Sequence, residues 1–343
     1  MAERDARIEV FLADHGWAGS ARRLLAGDAS FRRYDRLELD GRHAVLMDAP
    51  PPMEDVRPFV RIARHLKGLG LSAPDILATD EEAGFLLLED LGDETFTRVL
   101  KTAPQREAGL YELAVDVLAY LHNRPLDEAV PEGVAPYDDE KLLEEAFLLT
   151  DWYLPAVTGN DTPAAVRGSY RDLWLELFEP VHAQTATLVL RDYHVDNLMV
   201  LDGRDGVAAC GLLDFQDAVA GAAAYDLMSL LEDARRDIDP GLKAAMLARY
   251  FTARPDLSGP GPARDAFETA FTILAAQRHA KVIGIFTRLC MRDEKPDYLR
   301  HIPRLWRLLE TNLRDPAMAG LKAWFDEHVP IDLRRIPECP AAT

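Results

Sequence analysis

Three side chains in one short stretch have the types and spacing for chemistry at a phosphate. In Arg191-Asp-Tyr-His-Val-Asp-Asn197, Asp192 and Asn197 stand five residues apart, in a polar loop between two apolar runs, Thr187–Leu190 and Leu198–Leu201. Seventeen residues past Asn197, Asp214 ends a further apolar run, Cys210–Leu213. Phosphoryl transfer calls for a carboxylate to orient and deprotonate the attacking hydroxyl, and for oxygen ligands to a divalent ion on the phosphates. Magnesium takes a few carboxylate or amide oxygens from protein and the rest from water and phosphate. Asp and Asn are common in turns, so each alone reads as a turn residue. The three together, at this spacing and each beside an apolar run, read as a site.

Such groups need rigid element ends to hold them. Residues 6–16 read as a short amphipathic helix with Ile8, Phe11 and Leu12 on one face. Strands are predicted at 30–39 and 43–48, broken by Asp40-Gly41, a type I′ hairpin signal. A helix follows at 56–69, with Val56, Phe59, Val60, Ala63 and Leu66 at helical spacing, then strands around 75–79 and 84–89. After Gly92 the pattern turns helical, over 104–122, 138–153, 163–183, 225–235, 241–253, 263–290 and 297–313. Only 187–217 breaks that run, with short apolar segments that periodicity cannot assign to strand or helix. The expected fold is α+β and two-lobed, with a cleft between the lobes. Residues 1–91 form a small lobe of antiparallel sheet plus helix, and residues 92–343 a large, mainly helical one.

Composition sets the outer bounds. Apolar residues make up 48% and charged residues 28% of the 343, which is globular and not disordered. The net charge of −19 opposes broad nucleic-acid binding, which needs a basic face. That charge is uneven: residues 71–240 carry a net −24, whereas 1–70 and 241–343 carry +1 and +4. No apolar run approaches the ~20 residues of a membrane span, and the start lacks a signal peptide's apolar core. Cys210, Cys290 and Cys339 are too few and too scattered for a disulfide framework or a cysteine zinc site. A reducing, cytoplasmic setting and a monomer with no membrane partner are expected.

The Asp192 loop with the downstream Asp214-Phe215 resembles the catalytic loop and metal-binding motif of the protein-kinase-like fold, in its aminoglycoside phosphotransferase/choline kinase branch. Leu121-His122-Asn-Arg-Pro125 and Tyr225-Asp226-Leu227 agree, and the resemblance runs from about residue 24 to 310. Within that branch, Asp28-Ala-Ser-Phe-Arg-Arg-Tyr34, Met47-Asp-Ala-Pro-Pro51 and Asp214-Phe-Gln-Asp-Ala218 look like the bacterial kinases that phosphorylate the anomeric hydroxyl of N-acetylmuramate and N-acetylglucosamine in cell-wall recycling. The resemblance implies an ATP- and Mg²⁺-dependent kinase, with Asp192 as catalytic base and Asn197 and Asp214 as metal ligands. It also implies a hinge at 86–92, where backbone groups of Glu89 and Leu91 hydrogen-bond the adenine.

Two departures stand out. The position of the family's phosphate-binding lysine falls on Met47, and the helix at 56–69 carries Arg57, Arg61, Arg64, His65 and Lys67 where its glutamate partner belongs. Losing both halves of an ion pair together is coherent, since one buried charge left alone is costly. Arg32 is the expected replacement cation. Ser30 and Phe31 stand in the phosphate-loop position, and strand alternation places Arg32 with Tyr34 on the nucleotide face. For the acceptor, Arg278, His279 and Lys281 on the helix at 263–290 are expected to meet a sugar acid, with Asp217 accepting from sugar hydroxyls. Two other readings compete. One is an aminoglycoside- or choline-type kinase with a cationic acceptor, which an acidic acceptor pocket would favour. The other is an inactive nucleotide-binding regulatory module, which Met47 would favour.

Overall fold

The computed structural model describes residues 2–27 and 31–339; Ser30, expected at the nucleotide, lies outside the described residues. By packing, the chain forms two compact units, Met1–Val117 with Val195–Ala218, and Leu118–His194 with Val219–Thr343.

The first unit opens with α1 (Ala2–Asp14), followed by β1 (Ala21–Gly27), β2 (Arg33–Leu39), β3 (Arg42–Asp48), α2 (Arg57–Gly68), β4 (Ile76–Asp80) and β5 (Phe85–Leu88). The sheet order is β1-β2-β3-β5-β4, antiparallel throughout. Asp40 and Gly41 have φ of 51° and 75°, the two left-handed positions of a type I′ turn, and they fix the register from Arg33↔Asp48 to Leu39↔Arg42. Both faces of β3 are covered. Ala44 and Leu46 join Ile8, Phe11 and Leu12 of α1 in one core, while Val45 and Met47, also buried, take the opposite face. α2 buries Phe59, Val60, Ile62, Ala63 and Leu66, and Phe59 packs in a tilted pair with Phe215, ring centroids 4.9 Å apart.

The chain continues through α3 (Phe96–Thr102), α4 (Glu107–His122), α5 (Leu126–Ala129), α6 (Asp139–Leu148), α7 (Leu154–Thr158) and α8 (Ala164–His182). The short apolar segments resolve as strands β6 (Ala186–Val189), β7 (Leu198–Val200), β8 (Cys210–Leu212) and β9 (Val219–Ala222). β7 pairs with β8 in the first unit, and β6 with β9 in the second. The last helices are α9 (Ala224–Leu231), α10 (Pro240–Ala253), α11 (Pro262–Asp293), α12 (Ile302–Asn312) and α13 (Ala319–His328). α11 is the spine of the second unit, buried along most of its length. A Cβ on Gly284 would stand 2.2 Å from the carbonyl carbon of Leu148. Only glycine therefore lets α11 run this close to the end of α6, where the helix widens into a π turn, Leu149–Tyr153.

The thiols differ from expectation: Cys290 of α11 is disulfide-bonded to Cys339, and Cys210 is the free, buried cysteine. Three cysteines do not make a framework, but two of them met once the C-terminal segment returned to α11. Among the described residues, no helix is long and apolar enough to cross a membrane.

Candidate active site

The first unit encloses a cavity of about 320 Å³ beside its sheet. Val45, Phe59, Leu88 and Met199 give it apolar walls; Tyr34, Glu89 and Leu91 also line it, as do Asn197 and Asp214. Of the residues expected at the nucleotide, Tyr34, Glu89 and Leu91 are thus brought together with Asn197 and Asp214, the expected metal ligands. Glu89 donates its N–H to the Asp75 carbonyl at 2.8 Å, so the backbone group it offers a base is its carbonyl. Its side chain pairs with Arg204. Met47 sits opposite Tyr34 in the β2–β3 pairing and is 1% exposed. At the lysine position there is therefore a packed thioether.

Arg32 supplies a cation nearby. Its side chain is 10% exposed, with Nη2 3.6 Å from Asp214 Oδ1 and Nε 3.8 Å from Glu54 Oε2. Glu54 also accepts the backbone N–H of Phe31 at 3.0 Å, so one carboxylate holds both the strand entry and the guanidinium. An arginine–glutamate pair therefore stands in this unit, built from residues just before β2 and just before α2. Phe31 projects outward, 62% exposed, and its side chain does not line the cavity.

The β7–β8 hairpin explains why Asn197 and Asp214 meet. Asn197 precedes β7, Leu213 follows β8, and Leu213 N–H closes on the Asn197 carbonyl at 3.0 Å. Asn197 Nδ2 lies 3.4 Å from Asp214 Oδ2, and Gln216 Nε2 donates to Asp214 Oδ1 at 2.8 Å and to Asp217 Oδ2 at 3.2 Å. Asp214 holds φ of 58°, a left-handed conformation that costs of order 1 kcal/mol in a non-glycine residue. No cluster of three or more His, Cys, Asp or Glu suited to a metal occurs among the described residues. A carboxylate beside an amide is instead the oxygen set of an ion that completes its shell with water and phosphate, so the residues fit Mg²⁺.

Asp192 belongs to the second unit. The chain leaves β6 with the N–H groups of Leu190 and Arg191 donating to Asp226 of α9, at 2.6 and 2.9 Å. Burial pushes Asp226 up to about 7, although the two amides pull the other way. Arg191 takes φ of 69° and pairs with Glu145. Arg278 Nη2 donates to Asp192 Oδ1 at 3.3 Å, and its Nη1 donates to the Arg191 carbonyl at 3.0 Å and to Tyr225 Oη at 3.1 Å. Burial disfavours the charged form of Asp192, but Arg278, Lys281, His194 and Arg191 outweigh it and hold the carboxyl well below the ordinary range. His194 turns Nε2 to Arg235 Nη1 at 3.3 Å, and burial lowers its pKa.

A model of the phosphotransferase enzyme family matches residues 21–267. The chain belongs to that family. Among curated proteins, this phosphotransferase is 37% identical to an N-acetylmuramate/N-acetylglucosamine kinase of Caulobacter vibrioides over 366 aligned positions, covering 97% of this chain and 99% of the relative. It is 40% identical to the kinase of the same name from Pseudomonas aeruginosa, covering 91% and 90%. In fold it is similar to an aminoglycoside phosphotransferase solved with streptomycin and ATP, with a TM-score of 0.56 at 16% identity, covering 90% and 96% of the two chains. The two-lobed protein-kinase-like fold expected from the motifs is the fold of these neighbours.

The acceptor-side expectations for the phosphotransferase fare differently. His279 does not join Arg278 and Lys281. It is 1% exposed and turns Nδ1 to Asn312 at 2.9 Å and Nε2 to the Glu232 carbonyl at 3.4 Å. Residues 278 and 281 share a helix face, whereas 279 lies about 100° round the axis. Lys281 pairs with Glu145 at 2.9 Å and is 5% exposed. The basic run on α11 is therefore largely internal. Glu145 and Tyr137, whose hydroxyl donates to that carboxylate at 2.5 Å, had not been singled out. The available signal was an acid on the apolar stripe formed by Leu142 and Ala146 of α6 and Leu149 of the π turn that follows it. Glu54 carried no such signal, because its link to Arg32 is tertiary.

Proposed function

We propose that this phosphotransferase moves the γ-phosphoryl group of ATP to the anomeric hydroxyl of N-acetylmuramate and N-acetylglucosamine, giving the sugar 1-phosphate. The acceptor rests on one observation, the near full-length similarity to kinases named for those two sugars. The basic residues of α11 do not support it, since Arg278 and Lys281 are paired with Asp192 and Glu145.

In this reading, the adenine lies in the apolar cavity against Tyr34, with the Glu89 carbonyl and Leu91 N–H as its hydrogen-bond partners. Arg32, braced by Glu54, meets the phosphates in place of the lysine missing at position 47. Asn197 and Asp214 would hold Mg²⁺, which supplies charge neutralisation on the phosphates. Asp192 orients the sugar hydroxyl and takes its proton as the phosphoryl group transfers, and Asp217 accepts from a sugar hydroxyl. Catalysis is then mostly positioning and electrostatics, as loose phosphoryl transfer requires.

The test is incubation with ATP and Mg²⁺ against a panel of both amino sugars, aminoglycosides and choline. ADP should form with the amino sugars, whose reducing ends should disappear as the 1-phosphate accumulates. Turnover with aminoglycoside or choline and with neither amino sugar would reject the acceptor. Asp192→Asn should abolish transfer while ADP binding persists; full activity in that variant would reject Asp192 as the base.

A further inference from the structure

We infer that Arg278 is a positioning residue for Asp192, one that fixes the carboxylate toward the acceptor hydroxyl, and that it is no part of the acceptor's own binding surface. The inference rests on the reading of Asp192 as base. Its warrant is geometric. The guanidinium grips three groups at once, the carboxylate itself, the carbonyl of the preceding Arg191 and the hydroxyl of Tyr225. Arginine's planar fork suits this, since several N–H groups point outward from one rigid plane. The Arg278 side chain is 7% exposed, but that of Asp192 is 41% exposed. The base is held from inside and remains open on another side, while Arg278 offers almost no surface to a substrate.

The platform behind Arg278 is equally fixed. It lies within the buried stretch of α11, six residues from the Gly284 contact with α6. Lys281, one turn along, is tied to Glu145 and to Tyr225 Oη. The charged and titratable groups acting on Asp192 include Arg278 and Lys281 from α11, Arg191 and His194 from its own loop, and Asp226 from α9. With Arg278 bonded to it and the charges of Lys281 and Arg191 also acting on it, the carboxylate stays ionised at any working pH and is a weak base. A weak base is no handicap when the transition state is loose and the proton leaves late; alignment of the hydroxyl is then what matters.

Steady-state kinetics across pH, with both amino sugars, separate this role from substrate binding. Arg278→Met should lower kcat by about ten-fold or more, leave KM for ATP and both sugars within about two-fold, and bring an acid limb into the kcat profile as Asp192 becomes easier to protonate. Arg278→Lys keeps the charge without the fork, and should lose kcat by a smaller factor with no new acid limb. A preserved kcat with KM for N-acetylmuramate raised about ten-fold would overturn the inference, because that is the signature of a lost substrate contact. If the Met variant binds no ADP and has not folded, the Lys variant decides: wild-type kcat and KM would overturn the role. Asp192→Asn, measured alongside, keeps the two readings apart. If it stays active, the base assignment fails; if it is inactive while both Arg278 variants behave as wild type, only this inference fails.

Discussion

At the scale of the residue, the proposed function turns on a relocated cation. Met47 is a buried apolar side chain, and the proposal gives the phosphate-binding charge to Arg32, which has Glu54 as its partner. Arg32→Ala should reduce kcat/KM for ATP by about ten- to a hundred-fold, as removal of a charge-assisted phosphate contact does. Glu54→Gln should weaken ADP binding by less, and the double variant should be no worse than Arg32→Ala alone; additive losses measured by calorimetry would mean the two act separately. The meeting of Asn197 and Asp214 was legible in the sequence because each lies within two residues of a strand end and the spacing between them is local. Tyr34 was legible because strand alternation fixes its face. Glu54 and Glu145 were not, because their meaning comes from partners at positions 32, 191 and 281, which only the tertiary fold brings near.

At the scale of the element, strong periodicity and turn chemistry could be read, and geometry set by contact could not. The Asp40-Gly41 hairpin, α2 and the long α11 follow from turn residues and apolar stripes. β1 was missed because Ala-Arg-Arg-Leu-Leu-Ala-Gly lacks both alternation and β-branched residues; it forms as an edge strand along β2, with Leu24 59% exposed. The π turn after α6 carries no local signature either, and it lies where α11 presses in. Gly284→Ala puts a methyl group into the Leu148 backbone. The expected result is a loss of about 1–3 kcal/mol or more in denaturant unfolding, with kcat falling further than stability alone explains, because Arg278 rides on the same helix. An unaltered melting curve would show that the crossing relaxes without cost.

At the scale of the whole molecule, buried carboxylates should shape stability against pH in two opposed windows. Burial disfavours ionised Glu145, but Lys281, then Arg191 and the Tyr137 hydroxyl, bring it down to about 2. Its stabilisation is thus present above the ordinary carboxylate range and is lost as pH falls toward 2. Asp226, pushed up to about 7, has the reverse sign: the folded chain keeps a proton that the unfolded chain releases, so stability falls as pH rises from about 4 to 7. Glu145→Gln should flatten the acid side of the profile and cost about 3–5 kcal/mol at neutral pH, since it strands buried cations. Asp226→Asn should flatten the slope approaching neutrality. Chemical denaturation at a series of pH values reads both.

The first unit's discontinuity decides how this protein can be dissected. A fragment ending at residue 91 or 117 would carry Arg32, Tyr34, Glu89 and Leu91 but neither Asn197 nor Asp214, because the β7–β8 hairpin re-enters from residue 195. That hairpin is fastened within the same unit by Leu212 N–H to the Ser72 carbonyl at 2.8 Å and by Thr97 N–H to the Val195 carbonyl at 3.2 Å. A chimaera meant to import a relative's nucleotide preference must therefore transplant two stretches, 1–117 and 195–218, in one graft. A reporter split at residue 91 would leave its amino-terminal piece with Tyr34 and Glu89 but without Met199, Asn197 and Asp214, the residues that complete the cavity.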